Sequence, residues 1–439
     1  MLLLLINTIH TEAENQESSN QIKDDKNIYS VALISQLYRS GGLERVTQLL
    51  AQYLSQEQIK VYLITGEPTD QDYEVPESVE RLVAYVENDG INEETMNEVV
   101  RVKTEEKNQL LLQYVKRYNI KLFVCQEHWA LGHYSTINFL KDHNINVIAI
   151  EHNFFMFPIH SHREHLYRYS VKTYPRLDAL VCLSRVDVQL WRKVGVKNAI
   201  YIPNLLTFDP SQVQPSNLTT NNIIMVGRFN KDQKQQHLAI YMMSFLVKIY
   251  PSAILQLIGD VDPEYYKECS KIVMRMNLTT NIIFIPFQKY IEHFYQNASV
   301  LIMTSKTEGF PMVMLEAKAF GVPVVAFDLT FCELWQEGVT TVWQGDIPKM
   351  AEKIAEILID KDLRMKRGRE SKESLNRFNN TATVQKWVTL IKGIIDGNPD
   401  TIPEIQETEE KVTYEHALEV LKHELKANEK EGYDFGFEL

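Results

Sequence analysis

The chain has 439 residues, more than one apolar core ordinarily supports, and its 44% hydrophobic and 24% charged content is that of a globular protein with two domains. Net charge is −12, but residues 399–439 hold 12 Asp or Glu against 4 Lys or Arg and so carry −8 of it. The body is therefore close to neutral, which argues against nucleic acid as a partner.

The chain opens MLLLLINTIH, an apolar run too short for a membrane span and without the basic region of a signal peptide. An edge strand or an unstructured start is expected there, then a polar linker over 11–27. From residue 28 the punctuation becomes regular. IYSVALIS (28–35) has strand length and composition, and LERVTQLLAQYL has helical spacing at Val46, Leu49, Leu50 and Tyr53. IKVYLIT (59–65) is the next strand. Strand, helix and strand make the unit of a parallel sheet. Further strands are expected at 121–126, 146–151 and 179–184, giving a doubly wound α/β domain over 28–205.

Residues 207–222, rich in Pro, Ser, Thr and Asn, read as a linker. The pattern then restarts, with strands at 222–229, 252–259, 281–287, 299–305 and 322–328 and a helix over 236–249. A second α/β domain is expected over 206–380, a C-terminal helix over 381–398 and an acidic tail over 399–439. The tail contains TYEHALEVLKHELKAN, with Thr413 as a cap and one apolar stripe. It reads either as a docked amphipathic helix or as a disordered segment. The four cysteines, Cys125, Cys182, Cys269 and Cys332, have no spacing that suits zinc or a disulfide framework. A reduced, cytoplasmic setting is expected.

The stretch SKTEGFPMVMLEAKAFGVPVVAFD (305–328) carries the most chemistry. A strand ends, a loop follows, and Pro311 suits the first position of a helix. The free N–H groups of Met312 and Val313 then form an anion site, with Gly309 beside them. Gly321 ends the helix and Pro323 prevents its return. A plain connection, with Glu308 near the helix dipole and Glu316 solvated, is the alternative. In VGRFNKDQKQQHL, Gly227, Arg228, Lys231 and Lys234 follow a strand and would neutralise a diphosphate, or would simply be solvated. Gly41 and Gly42 open the first helix and let a ligand approach the backbone. His152 follows the strand IAIE; a structural role is the plainer reading. Asp260-Val261-Asp262 is a D-x-D motif, but Pro263 and Glu264 follow, so turn and helix-capping roles are expected rather than a metal. The basic and aromatic run 160–176 is either a helix face or a contact with an anionic membrane.

Taken in order, GGLERV, IAIEHN, LVCLS, YIPN, VGRF…K…HL and TEGFPMVMLEAKAFGVPVVAFD resemble the retaining glycosyltransferases of family 4, whose GT-B fold sets two Rossmann-like domains across a central cleft. The resemblance runs from Ile28 to Asp396 and is nearest to bacterial enzymes of capsule, teichoic acid and exopolysaccharide synthesis. It implies that Glu308 meets the donor sugar and Glu316 the ribose, and that Arg228 and a lysine hold the diphosphate. Met312 and Val313 meet the phosphates, in the loop that holds Gly309, Phe310 and Pro311. Gly42 closes over the donor, His152 lies near the transferred sugar, and Phe287, Gln288 and Lys289 hold the base, largely through backbone. Counted without a gap the lysine position falls on Gln233; one inserted residue restores Lys234.

The reaction expected is transfer from a nucleotide sugar, a UDP-sugar above others, to a glycan or lipid-linked acceptor, without a resident cofactor. Peripheral membrane contact, a homo-oligomer or a partner glycosyltransferase are further expectations. A catalytically idle GT-B subunit and a sugar-nucleotide epimerase are the alternatives.

Overall fold

The structure, a computed structural model, describes residues 28–35, 41–70, 72–84, 93–126, 131–160, 164–329 and 338–398. The N-terminal 27 residues, Ser40, residues 161–163 of the basic run, Cys332 and the acidic tail with its expected helix lie outside them.

The apolar runs become two sheets in which every pairing is parallel. In the first domain these are β1 (Tyr29–Ile34), β2 (Ile59–Thr65), β3 (Glu80–Val83), β4 (Leu122–Cys125), β5 (Asn146–Glu151), β6 (Ala179–Cys182) and β7 (Ala199–Tyr201). Their order is β3-β2-β1-β4-β5-β6-β7. The second domain has β8 (Asn222–Val226), β9 (Ile254–Ile258), β10 (Ile282–Ile285), β11 (Val300–Met303), β12 (Val324–Phe327) and β13 (Val339–Val342). Their order is β10-β9-β8-β11-β12-β13. Helices cover both faces, so the central strands are uninterrupted apolar runs: β4, β6, β11 and β12 are buried at every position.

Each sheet reverses direction of growth once, between β1 and β4 and between β8 and β11. Such switch points leave a crevice beyond the strand ends. In the second domain the loops after β8 and β11 begin at Gly227 and Thr304. In the first, the helix Gly42–Ser55 follows β1, and Gln126 follows β4. The two crevices face each other.

The last helix among the described residues, Asn380–Ile395, returns to the first domain. Its Trp387, Val388 and Ile391 share one apolar cluster with Val46, Leu49 and Leu50 of the helix Gly42–Ser55. Tyr29 donates a hydrogen bond to Asp396 at 2.9 Å and Asn380 donates one to the Tyr53 hydroxyl at 3.1 Å. The linker 207–222 is packed rather than loose: Phe208 meets Phe320 edge-on, and Ser216 donates to the Ala298 carbonyl at 2.7 Å. Among the described residues no helix is long and apolar enough to cross a membrane.

Candidate active site

The two switch points enclose a cavity of about 560 Å³ between the domains. Of the residues singled out from the sequence as binding or catalytic candidates, all but Lys231 line it. Gly41, Gly42 and His152 come from the first domain. Arg228, Lys234, Phe287, Gln288, Glu308, Gly309, Phe310, Pro311, Met312, Val313 and Glu316 come from the second.

The loop after β11 is built tightly. Gly309 lies against the first domain: a Cβ there would sit 2.1 Å from the His152 carbonyl oxygen, so only glycine allows the two loops to meet. Pro311 is not the first helical residue as expected. It is the N-cap of Met312–Ala319, with ψ of 106°, because its extended backbone carries the chain into the turn before helical angles begin. The N–H of Met314 is already bonded to the Pro311 carbonyl. At the other end Val322 N–H reaches the Ala317 carbonyl and Gly321 N–H reaches Lys318, with Gly321 at φ +66°. That is a Schellman ending, which fixes the length of the helix.

Glu316 lies in the helix's second turn, 8% exposed. Tyr295 donates a hydrogen bond to its Oε2 at 2.7 Å, and the Thr207 hydroxyl lies close by. Burial raises its pKa above the usual carboxylate value, while Tyr295, Thr207 and the Arg45 charge oppose that rise. The solvated role allowed by the sequence is excluded.

Glu308 is 2.5 Å from the Lys234 ammonium, with side-chain exposures of 6% and 19%. The structure thus brings Lys234 to Glu308. Gln233 sits at the cavity wall and its amide reaches back to the Thr307 carbonyl at 3.4 Å. The turn that makes this register closes on Asn230, whose carbonyl accepts from both Lys234 and Gln235 N–H, and Gln235 adopts φ +55°. Arg228 is exposed at the lip of the cavity. Lys231 is directed elsewhere, to Glu268 at 2.8 Å.

His152 keeps part of its surface on the cavity, but close packing around the ring pushes its pKa down to about 3. Its Nε2 is 2.9 Å from the Gln126 carboxamide oxygen. A neutral imidazole donating from Nε2 fits that contact. Behind it Glu151, 1% exposed, accepts from Asn153 N–H at 3.2 Å and Tyr174 O–H at 3.3 Å. Burial lifts its carboxyl well above the usual range. The Asp187 carboxylate accepts from Phe155 N–H at 3.0 Å, so two buried acids hold the loop that carries His152.

The D-x-D motif divides as expected. Asp262 caps the helix Pro263–Arg275, accepting from Tyr265 N–H, and Asp260 closes a turn on Val261 N–H. Several wall residues were not anticipated. Arg45 lies over the Tyr73 ring at 5.5 Å, and the Tyr73 hydroxyl is pushed up to about 12 by burial first of all. Glu74 pairs across the cleft with Lys289 at 3.1 Å. Arg45 was legible as a cation one residue past the Gly41-Gly42-Leu43-Glu44 opening of a helix. Tyr73 and Glu74 stand in a loop with no distinguishing pattern.

Two family models match the chain. "Glycosyltransferase Family 4" covers residues 40–206, and "Glycosyl transferases group 1" covers residues 209–374. The chain is a family 4, group 1 glycosyltransferase. It is similar to an uncharacterised glycosyltransferase of Haemophilus influenzae, 29% identical over 186 residues, which are 42% of this chain and 51% of that one. It is likewise similar to the capsular polysaccharide biosynthesis glycosyltransferase CapM of Staphylococcus aureus, 29% identical over 168 residues, 37% of this chain and 44% of that one. The chain thus spans about half the length of these relatives or less. The structure of Anabaena HepE in complex with UDP and glucose superposes with a TM-score of 0.65 at 15% identity, over 83% of this chain and all of that one. This likeness shows the shared GT-B architecture of the family 4 enzymes.

Proposed function

We propose that the protein is a retaining transferase that moves a sugar from a UDP-sugar to a glycan or lipid-linked acceptor in cell-surface polysaccharide synthesis. The observation that carries this reading is the spacing on one wall of the cleft. Glu308 stands at the mouth of a helix, Glu316 in its second turn, and the N–H groups of Met312 and Val313 lie between them. A sugar, a diphosphate and a ribose follow one another in that order in a nucleotide sugar. CapM's role in capsule synthesis and the UDP bound in HepE agree with it, as properties of those proteins.

In the proposed reaction the acceptor hydroxyl oxygen bonds to the anomeric carbon while that carbon's bond to the β-phosphate oxygen breaks. Negative charge builds on the departing UDP, which takes the acceptor's proton on the same face. Arg228, Lys234 and the helix N-terminus at Met312 oppose that charge. Lys234 also keeps the Glu308 carboxylate compatible with a nearby diphosphate. His152, neutral and held by Gln126, orients sugar hydroxyls rather than moving a proton. No resident cofactor enters the scheme.

The test is a panel of UDP-, GDP- and ADP-sugars, scored by thermal shift and then by nucleotide release. The anomeric configuration of the product is read by NMR. Stabilisation by UDP donors and a product of unchanged configuration are expected; inversion, or a response to GDP or ADP donors alone, would overturn the proposal.

A further inference from the structure

The end of the cleft that holds Glu316 has a wall from the first domain. Arg45, Tyr73 and Glu74 line the same cavity as Glu316 and Lys289. Arg45 is the fourth residue of the helix Gly42–Ser55 and is half-buried. Its guanidinium lies 5.5 Å from the Tyr73 ring centroid, and its Nη1 donates to the Gln48 carboxamide oxygen at 2.7 Å. The Gln48 amide in turn donates to the Glu74 carbonyl at 2.9 Å, and the Glu74 carboxylate pairs with Lys289 of the second domain at 3.1 Å. The loop carrying Tyr73 and Glu74 is anchored from behind. Asp72 accepts there from Arg81 at 2.6 Å and from the Thr69 hydroxyl at 2.7 Å.

A guanidinium has five N–H donors and no acceptor. Among the described residues Arg45 uses one of them in a hydrogen bond, to Gln48, and no carboxylate pairs with it. Its charge nonetheless acts on Glu316 from the other side of the cleft, opposing the rise that burial imposes on that carboxyl. Cation and carboxylate therefore stand near each other without closing into an ion pair. A sugar hydroxyl suits this arrangement, because it gives one proton and accepts through two lone pairs. The carboxylate takes the proton while the guanidinium donates to the same oxygen. Both bonds have an ionised partner, which makes each about twice as strong as a neutral one.

We propose that Arg45 is a nucleotide-binding residue supplied by the first domain, and that it donates to a ribose hydroxyl oxygen whose proton Glu316 accepts. The ribose is then clasped between the domains rather than held by the second domain alone. Lys289, Glu74 and Gln48 form a chain that fixes the guanidinium, so ribose recognition depends on how the domains meet. The inference rests on the reading of Glu316 as the ribose ligand.

Titration calorimetry with UDP, 2′-deoxy-UDP and 3′-deoxy-UDP, on wild type, Arg45→Gln and Glu316→Gln, tests it. Arg45→Gln should weaken UDP binding roughly tenfold, as loss of a hydrogen bond from a charged group does. For the analogue that lacks the hydroxyl met by Arg45, variant and wild type should agree within about threefold. Arg45→Lys carries the same comparison if the Gln variant does not fold. With Glu316→Gln weakened, UDP binding by Arg45→Gln within about threefold of wild type would overturn the inference alone. An equal loss for UDP and both analogues would put Arg45 on the phosphates or the base and overturn it too. Unchanged UDP binding by Glu316→Gln would instead overturn the ribose reading, and the inference with it.

Discussion

Replacing Glu316 with Gln separates what the residue does for the fold from what it does for the ligand. Gln has the same size and keeps an oxygen for the Tyr295 hydroxyl, now 2.7 Å away. What is lost is the charge. In the ligand-free protein that charge is a burden, because burial raises the folded-state pKa above the ordinary 4.5. A carboxyl raised in this way is held protonated more tightly by the folded chain. Its destabilising effect therefore grows as pH rises from the unfolded value through the folded one. Near neutral pH the variant should unfold at the same temperature as wild type or higher. With UDP present the sign reverses. A ribose hydroxyl hydrogen-bonded to a charged acceptor is worth about 1.5–3 kcal/mol, so loss of about 2 kcal/mol weakens binding roughly 30-fold. At UDP concentrations well above both dissociation constants, the stabilisation by UDP falls by the same amount. Titration calorimetry and thermal unfolding with and without UDP measure both effects. A dissociation constant within about threefold of wild type would refute the ribose contact.

Arg228→Ala, at an exposed position, should leave the unfolding temperature unchanged and lower kcat by roughly 10²–10³, as loss of one charge-stabilising donor does; steady-state kinetics beside circular dichroism decides it. Gly309→Ala places a Cβ 2.1 Å from the His152 carbonyl, so the loops must part, at a cost of about 1–3 kcal/mol in stability and with reduced turnover. Wild-type stability with normal kcat would show that the contact gives way freely. His133 and His152 are both held neutral by burial, with pKa values pushed down to about 3. The unfolded chain binds protons that the folded chain refuses, so stability falls as pH drops below about 6.5 and goes on falling toward pH 3. A His133→Asn/His152→Asn double variant should flatten that slope in denaturant titrations between those limits.

Much of this was legible in the sequence, for a physical reason. Strands that are mostly buried, such as 59–65 and 146–151, are largely apolar runs with punctuated ends, and their expected and observed bounds agree. The edge strands Glu80–Val83, Ala199–Tyr201 and Val339–Val342 were missed, because short strands with one neighbour need no such run. The segment 305–328 was readable because Gly309, Pro311 and Gly321 are demanded by backbone geometry, which residue type reports directly. The Lys234–Glu308 pair was harder. It depends on a turn closing on Asn230 and on Gln235 entering left-handed backbone, and neither is a preference of Gln. The contacts of Tyr73 and Glu74 depend on how two domains face each other, which no local pattern encodes. The returning helix was foreseen as a helix, but its destination was not. An amphipathic stripe states that it must be covered, and says nothing about by what.

That destination bears on how the protein is made. The stripe of Val46, Leu49 and Leu50 is covered by residues near 390, so the first domain leaves the ribosome with part of its core uncovered. About 180 residues separate the end of that domain's own sheet from the helix that seals it. At synthesis rates of about 5–20 residues per second, the gap lasts roughly 10–40 s. Until then the nascent domain presents an apolar groove to whatever is nearby. A shortened chain that stops before Asn380, though it holds both sheets, would keep that groove permanently and should be recovered as aggregate.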